Sequence, residues 1–442
     1  MLGGSSSMNA MIYMRGRPSD YDGWLEAGAT GWGWDDVLPT FISMENNQRG
    51  ESELHGATGP LRVEDLRNPN SLTRLFVGAA AEVGIPPIDD FNGERQEGVG
   101  FYQVTQKRGR RWSAADAFLR PAIRRPTLDV VTGAHVSRVV FEGNRASGVE
   151  YTKDNNRVNV SASSEVILCA GAIGSPHILQ MSGVGAPSLM ASLGIDVIAA
   201  SPHVGEHLQD HLVIGVIQVS TSRATLDDAE NPLDLAKWAL FRRGRLTSNV
   251  AEAGAFVRSD PDLDEPDLQF HFGPAHFENH GRDPFDGHAY SLGAVLVNPR
   301  SRGSVIARTT DPNVAPVIRG NFLSVPEDFG ALRVGFDITR EILAASPFDT
   351  VRGDELVPGS DIVSDSDVEH FIRSRCEAFY HPVGTCRMGE DETTNVVDPQ
   401  LRVHGTTGLR VADASVMPAI TSGNTNAPAL MIGARAVEMV LT

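Results

Sequence analysis

A histidine followed by proline, His381 in HPVGT, and an asparagine ahead of an apolar run, Asn424 in TSGNTNAPALMIGARA, are the residues of this chain whose chemistry is easiest to state. Imidazole titrates near neutral pH and can take a proton from a hydroxyl. Pro382 disfavours helical backbone at His381, so a loop can present that ring. An amide can position a substrate oxygen and hold it as negative charge develops. Each residue also has a plainer reading. His381 is one of 13 histidines and could order a turn. Asn424 or Asn426 could cap the helix that the apolar run opens.

A second candidate is the opening string MLGGSSSMNAMIYMRG. Behind Met1, Gly3 and Gly4 allow close approach of backbone to a ligand, and Ser5, Ser6 and Ser7 add hydroxyl and N–H donors. A helix opening after them points its N-terminal dipole at a phosphate. GGSSS alone reads as a linker, but Asn9, Ala10, Met11, Ile12 and Tyr13, then Arg15, Arg17, Tyr21 and Trp24, do not have a linker's composition. His271, His276 and His280 invite a metal reading, yet their spacing matches no ligand motif, and we read them as a strand and loop facing a substrate. Arg110, Arg111 and Trp112 read as a solvated basic turn.

The elements that must carry these residues follow from apolar periodicity. Turn residues at Gly31 and Gly33 precede an amphipathic helix from Trp34, and a further helix is expected over Leu72–Val83. Alternation from Leu128 to Thr152, broken at Gly133 and Gly143, predicts a strand meander. Val166–Ala170 reads as a buried strand, followed by a glycine turn and a helix from Ser175 with Pro176 at its first position. The middle of the chain has strands at Leu268 and Tyr290 and a helix near Ala331–Ile342. No internal repeat is visible.

Composition narrows the class. A chain of 442 residues is long enough for two or three structural units. Thirty-eight basic against 56 acidic residues give a net charge of −18, which argues against nucleic-acid or anionic-membrane partners. Cys169, Cys376 and Cys386 are an odd number without metal-like spacing, which suits a reducing compartment and implies no metal site. No apolar run approaches the roughly 20 residues of a membrane span, and the expected location is cytoplasmic.

Four ordered stretches carry a family resemblance. They are the opening string, LCAGAIGSPHILQMSGVG from Leu168, HVGEHLQDHL from His203, and HPVGTCRMG from His381 continuing through DPQLRVHGTTGLRVADASVMPAITSGNTNAPALMIGARA to Ala436. Together they resemble the glucose-methanol-choline (GMC) oxidoreductases, flavin-dependent alcohol-oxidising enzymes of the choline dehydrogenase and alcohol dehydrogenase type. The resemblance implies a mixed α/β fold: a Rossmann-like FAD-binding domain and a substrate domain with an antiparallel sheet flanked by helices. The division it suggests is 1–211 for the FAD-binding portion, 212–380 for the substrate domain, and 381–442 for a return to the first domain with the catalytic residues.

It further implies that His381 is the base and Asn424 its partner, with hydride passing from the carbinol carbon to flavin N5. FAD would lie against Met1, Gly3, Gly4, Ser5, Ser6, Asn9, Ala10, Met11 and Ile12. Val136 would touch its adenine end through backbone, Asp413 and Ala414 the ribityl and phosphate region, and Asn426 the pyrimidine edge. Some relatives attach flavin through a histidine at the position of Met8, so non-covalent FAD is expected here. The family's opening strand, G-x-G-x-x-G turn and helix are not found ahead of Leu2, and the expectation is an N-terminally truncated chain. The expected substrate is a small primary, aliphatic or aromatic alcohol, with apolar residues around Phe270–Phe277 facing it. The electron acceptor (a quinone, a dye or oxygen) stays open. A non-redox lyase on the same scaffold, or an inactive fragment, are the alternatives.

Overall fold

The computed structural model describes residues 1–283 and 285–441. The first helices form where apolar periodicity meets a start signal. Helix α1 (Pro18–Glu26) opens on a proline, where a missing N–H costs nothing, and Asp20 accepts the Arg17 N–H at 2.8 Å. In α2 (Trp34–Met44), Asp36 accepts the Gly33 N–H at 3.0 Å. The Asn70 side chain caps α3 (Ser71–Glu82) by accepting from the Leu72 N–H at 2.9 Å, one residue ahead of the expected start.

The helix expected directly after GGSSS does not form. Gly4–Ser7 makes one 3₁₀ turn, after which the chain runs to α1 without regular structure apart from a bridge at Ile12. The Ser6 and Ser7 hydroxyls turn back to the Gly3 and Leu2 carbonyls at 2.5 and 2.7 Å, and such local bonds compete with helix propagation.

Strand β1 (Gly98–Phe101) comes next, then the antiparallel meander β2 (His135–Glu142), β3 (Arg145–Lys153) and β4 (Asn156–Ser161). Strand β5 (Val166–Leu168) leads into α4 (Gly171–Met181). This helix starts four residues before Ser175, so Pro176 lies inside it and not at its first position. A proline there leaves the carbonyl four residues back without its N–H. The Thr385 hydroxyl supplies the missing donor to Ala172 at 2.7 Å.

The largest sheet is antiparallel and has seven strands. Its main path is formed by β6 (Leu212–Ser220), β7 (Ala253–Val257), β8 (Leu268–Gly273), β9 (Ala289–Leu296) and β10 (Arg352–Val357), in the order β10-β6-β9-β8-β7-β1, with Glu377–Ala378 also paired to β6. Alternation decides which side chain of β8 faces where. Leu268, Phe270 and Phe272 point into a core shared with Phe76 of α3 and with Leu332 and Phe336 of α5 (Pro326–Ala344). Gln269 and His271 project to the opposite face.

Phe270 and Phe272 therefore belong to the core and do not face a substrate; full burial of such a ring contributes about 2 kcal/mol. A second core joins α1 and α2 to β11 (Leu409–Val411), which pairs in parallel with β5, and to α6 (Asn426–Leu441). Among the described residues no helix is long and apolar enough to cross a membrane.

Candidate active site

The loop carrying His381 runs antiparallel to the segment His203–His211. Gln209 and Val383 exchange backbone bonds at 3.1 and 2.9 Å, the Gly205 N–H reaches the Thr385 carbonyl at 2.8 Å, and the Phe379 N–H reaches the His211 carbonyl at 2.9 Å. Gly384 has φ 89°, and a Cβ there would stand 2.6 Å from the His207 carbonyl oxygen, so only glycine fits this close pairing. The Gln209 side chain then clamps the third segment: its Nε2 donates to the Pro418 carbonyl at 3.2 Å and its Oε1 accepts the Ile420 N–H at 3.1 Å.

These clamps bring His381 and Asn424 together across 43 positions of sequence. His381 Nε2 lies 3.2 Å from Asn424 Nδ2, and His381 Nδ1 lies 2.9 Å from His211 Nδ1. The backbone N–H of His381 donates to Asp210 Oδ1 at 2.8 Å. Asn424 does not act as a helix cap through its oxygen, which accepts from Gln269 Nε2 at 3.2 Å. A neutral base beside a fixed amide is an arrangement that can deprotonate a hydroxyl and hold the resulting oxygen.

Burial governs the electrostatics. It pulls His381 down to about 4, drives His211 well below the ordinary histidine range with the charge of His381 adding to the effect, and pulls His271 down to about 3. All three rings are thus neutral at pH 7. His271 packs against Phe379, with centroids 5.0 Å apart, and neither of its ring nitrogens has a partner. His276 stacks on Phe285, and His280 bonds the Tyr380 hydroxyl, so these three histidines do not converge on one point.

The residues expected at the cofactor form a more open face. Met1, Gly4, Ser5 and Ala10 are exposed, while Ser6 is buried and accepts the Ala114 N–H at 2.9 Å. Asn9 Oδ1 accepts both the Met11 N–H at 2.9 Å and Arg111 Nη1 at 2.8 Å, which leaves its NH₂ group to meet a ligand. Arg111 is thus half-buried against this loop and not part of a solvated turn. Ile12 bridges to Val104, and Ala10 O accepts from Asn249.

Val136 is a half-buried residue of β2, and Ala414 follows Asp413 at the start of a short 3₁₀ turn. Asp413 accepts the Gly171 N–H at 2.9 Å, the Ser175 hydroxyl at 2.5 Å and the Ser415 N–H at 2.8 Å, so both its oxygens are engaged within the chain. Asn426 Nδ2 and Thr421 Oγ1 are buried without partners. Two concavities, of about 760 and 550 Å³, lie by Trp112 and by Trp238 and include neither His381 nor Asn424.

The family model for the GMC oxidoreductases matches residues 1–213 in its N-terminal part and 299–433 in its C-terminal part. The chain belongs to the GMC oxidoreductase family. An alcohol dehydrogenase [acceptor] of Pseudomonas putida is 45% identical over all of this chain and 81% of its own length. An oxygen-dependent choline dehydrogenase of Brucella ovis is 41% identical with the same coverage of both chains. Among solved structures, an FAD-dependent oxidoreductase from Chaetomium thermophilum superposes with a TM-score of 0.89 at 26% identity, covering 99% of this chain and 85% of that one. The GMC family thus accounts for the mixed α/β fold, and the chain is an oxidoreductase.

FAD, the cofactor that GMC membership implies, fits the donors present. The unpartnered Asn426 Nδ2 and Thr421 Oγ1, together with the free amide group of Asn9, suit the polar edge of a flavin ring. Four residues around the candidate site escaped sequence reasoning: Asp210, His211, Gln269 and Tyr102, whose hydroxyl meets Gln269 Nε2 at 3.1 Å. The signal for two of them was present in LQDHL, where three consecutive polar residues run straight into a strand. For Gln269 it was the repeat of polar residues at alternate positions of LQFHF, which marks one strand face as polar.

Proposed function

We propose that this chain oxidises the CH–OH group of a small primary, aliphatic or aromatic alcohol with non-covalent FAD. The observation that carries the reading is the approach of Asn424 Nδ2 to His381 Nε2 at 3.2 Å, on a ring kept neutral by burial. His381 Nε2 takes the hydroxyl proton, Asn424 Nδ2 donates to the oxygen that remains, and the unpartnered His271 ring supplies a further polar contact beside Phe379. When bound, FAD supplies the two-electron acceptor for the hydrogen that leaves carbon as hydride, so the product is the aldehyde or ketone.

Asn9 to Ile12, Thr421 and Asn426 would hold the flavin end, with Ala414 near its ribityl chain. Met8 offers no nucleophilic nitrogen and is exposed, in keeping with non-covalent attachment. The division into 1–211, 212–380 and 381–442 follows the same reading. A cytoplasmic location is supported by three cysteines that are all free. The acceptor that reoxidises the cofactor is a quinone, a dye or oxygen.

The test is His381→Ala, followed by anaerobic flavin reduction with benzyl alcohol. Loss of about 10²–10⁴ in rate is expected for removal of a general base. Unchanged reduction would remove His381 from the role.

A further inference from the structure

We infer that Tyr102 and Gln269, through Asn424, dictate which ring nitrogen of His381 carries its proton, and so act as positioning residues for the base. The inference rests on the reading of His381 given above. It starts from a carbonyl oxygen, which can only accept. The Tyr102 hydroxyl donates to the Phe270 carbonyl at 2.9 Å. A phenol has one proton, so the side of Tyr102 Oη that meets Gln269 at 3.1 Å must accept, and Gln269 must present its NH₂ group.

The second hydrogen of that NH₂ goes to Asn424 at 3.2 Å, which fixes Asn424 with its oxygen towards Gln269 and its nitrogen towards His381. An amide nitrogen cannot accept, so His381 Nε2 must offer a lone pair. The proton of the neutral ring then sits on Nδ1, where it is donated to His211 Nδ1 at 2.9 Å. His211 Nδ1 then accepts, so His211 in turn carries its own proton on Nε2, which is buried without a partner. Every direction in this chain follows from the first one. Reversing it would put N–H on His381 Nε2, which could not accept a substrate proton.

Two further observations support a role beyond packing. Gln269 is fully buried and its Oε1 has no partner, a cost of the kind a residue kept only for stability would shed. Strand β7 has a glycine where the Tyr102 hydroxyl passes: a Cβ on Gly254 would stand 1.9 Å from that oxygen and 2.2 Å from the Phe270 carbonyl oxygen. The bond that starts the chain therefore exists because one strand omits a side chain.

The experiment is ¹⁵N NMR of histidine-labelled protein at neutral pH, which reads the tautomer directly and does not depend on turnover. In the wild type His381 is expected as the Nδ1–H tautomer, and Tyr102→Phe, which deletes one oxygen, is expected to give a mixture of tautomers. Turnover of benzyl alcohol with a dye acceptor by the FAD-loaded Tyr102→Phe and Gln269→Leu variants is expected to fall about tenfold in kcat with KM unchanged. An Nε2–H tautomer in the wild type overturns the inference, even where no variant folds. So does a Tyr102→Phe protein that keeps the wild-type tautomer. Failure of His381→Ala to slow flavin reduction would remove the base and leave the tautomer assignment standing, so the two ideas fail separately.

Discussion

Asp210 accepts the backbone N–H of His381 at 2.8 Å, so a buried carboxylate anchors the loop that presents the base. Burial pushes this carboxyl up to about 7, against backbone N–H groups of His381, His211 and Phe379 that hold it down. A carboxyl raised in the folded state favours folding while it is protonated. Its contribution is complete below the ordinary value of 3.8 and is lost as pH rises through about 7. Asp210→Asn keeps an oxygen for the N–H and cannot ionise. Urea midpoints across this range should fall less steeply with pH in the variant than in the wild type, and parallel curves would remove Asp210 from the titration.

The histidines act with the opposite sign. His381 and His271 are held below 6.5, at about 4 and about 3, so the stability tied to their neutral forms is present above 6.5 and is lost as pH falls towards those values. The same depression keeps the base ready at neutrality. kcat/KM for benzyl alcohol is expected to be flat near pH 7 on account of His381 and to fall as pH drops through about 4, measured within the lifetime of the folded protein. A descending limb centred at 6.5 would place the ring in water.

Asn424 should be felt in the rate more than in binding. Asn424→Ala removes the donor that faces the developing oxyanion, and loss of one such donor costs about 10²–10³ in rate. Stopped-flow flavin reduction against alcohol concentration separates the limiting rate from half-saturation. A change confined to half-saturation would make Asn424 a ground-state contact.

Thr385 gives a prediction about stability. Thr385→Val keeps the shape and deletes the hydroxyl that serves Ala172 O, the carbonyl that Pro176 leaves without a donor. An unsatisfied buried carbonyl costs about 1–3 kcal/mol, visible as a lower denaturant midpoint with an unchanged slope. An unaltered midpoint would mean that water takes the place of the hydroxyl.

Much of this was legible from residue types. Apolar periodicity located α2, α3, the meander and the strands at Leu268 and Tyr290 because a buried face repeats at the period of its element. His381 and Asn424 could be named because the stretches around them resemble a known family; residue type alone left a turn histidine and a helix cap open. What stayed hidden was long-range. The clamp of Gln209 on Ile420 spans 211 positions, and no local pattern announces that an amide will meet a backbone N–H that far along the chain. The misplaced helix starts have a related cause. Ser6 and Ser7 bond backwards and stop a helix, while Thr385, remote in sequence, lets another continue through Pro176.

The carboxylate of Asp413 sits at the N-terminus of α4, bonded to Gly171 and Ser175. The positive end of that helix dipole is therefore already matched by an anion of the chain's own. A phosphate bound beside this helix would have to be met by donors other than the Gly171 N–H, which Asp413 already occupies.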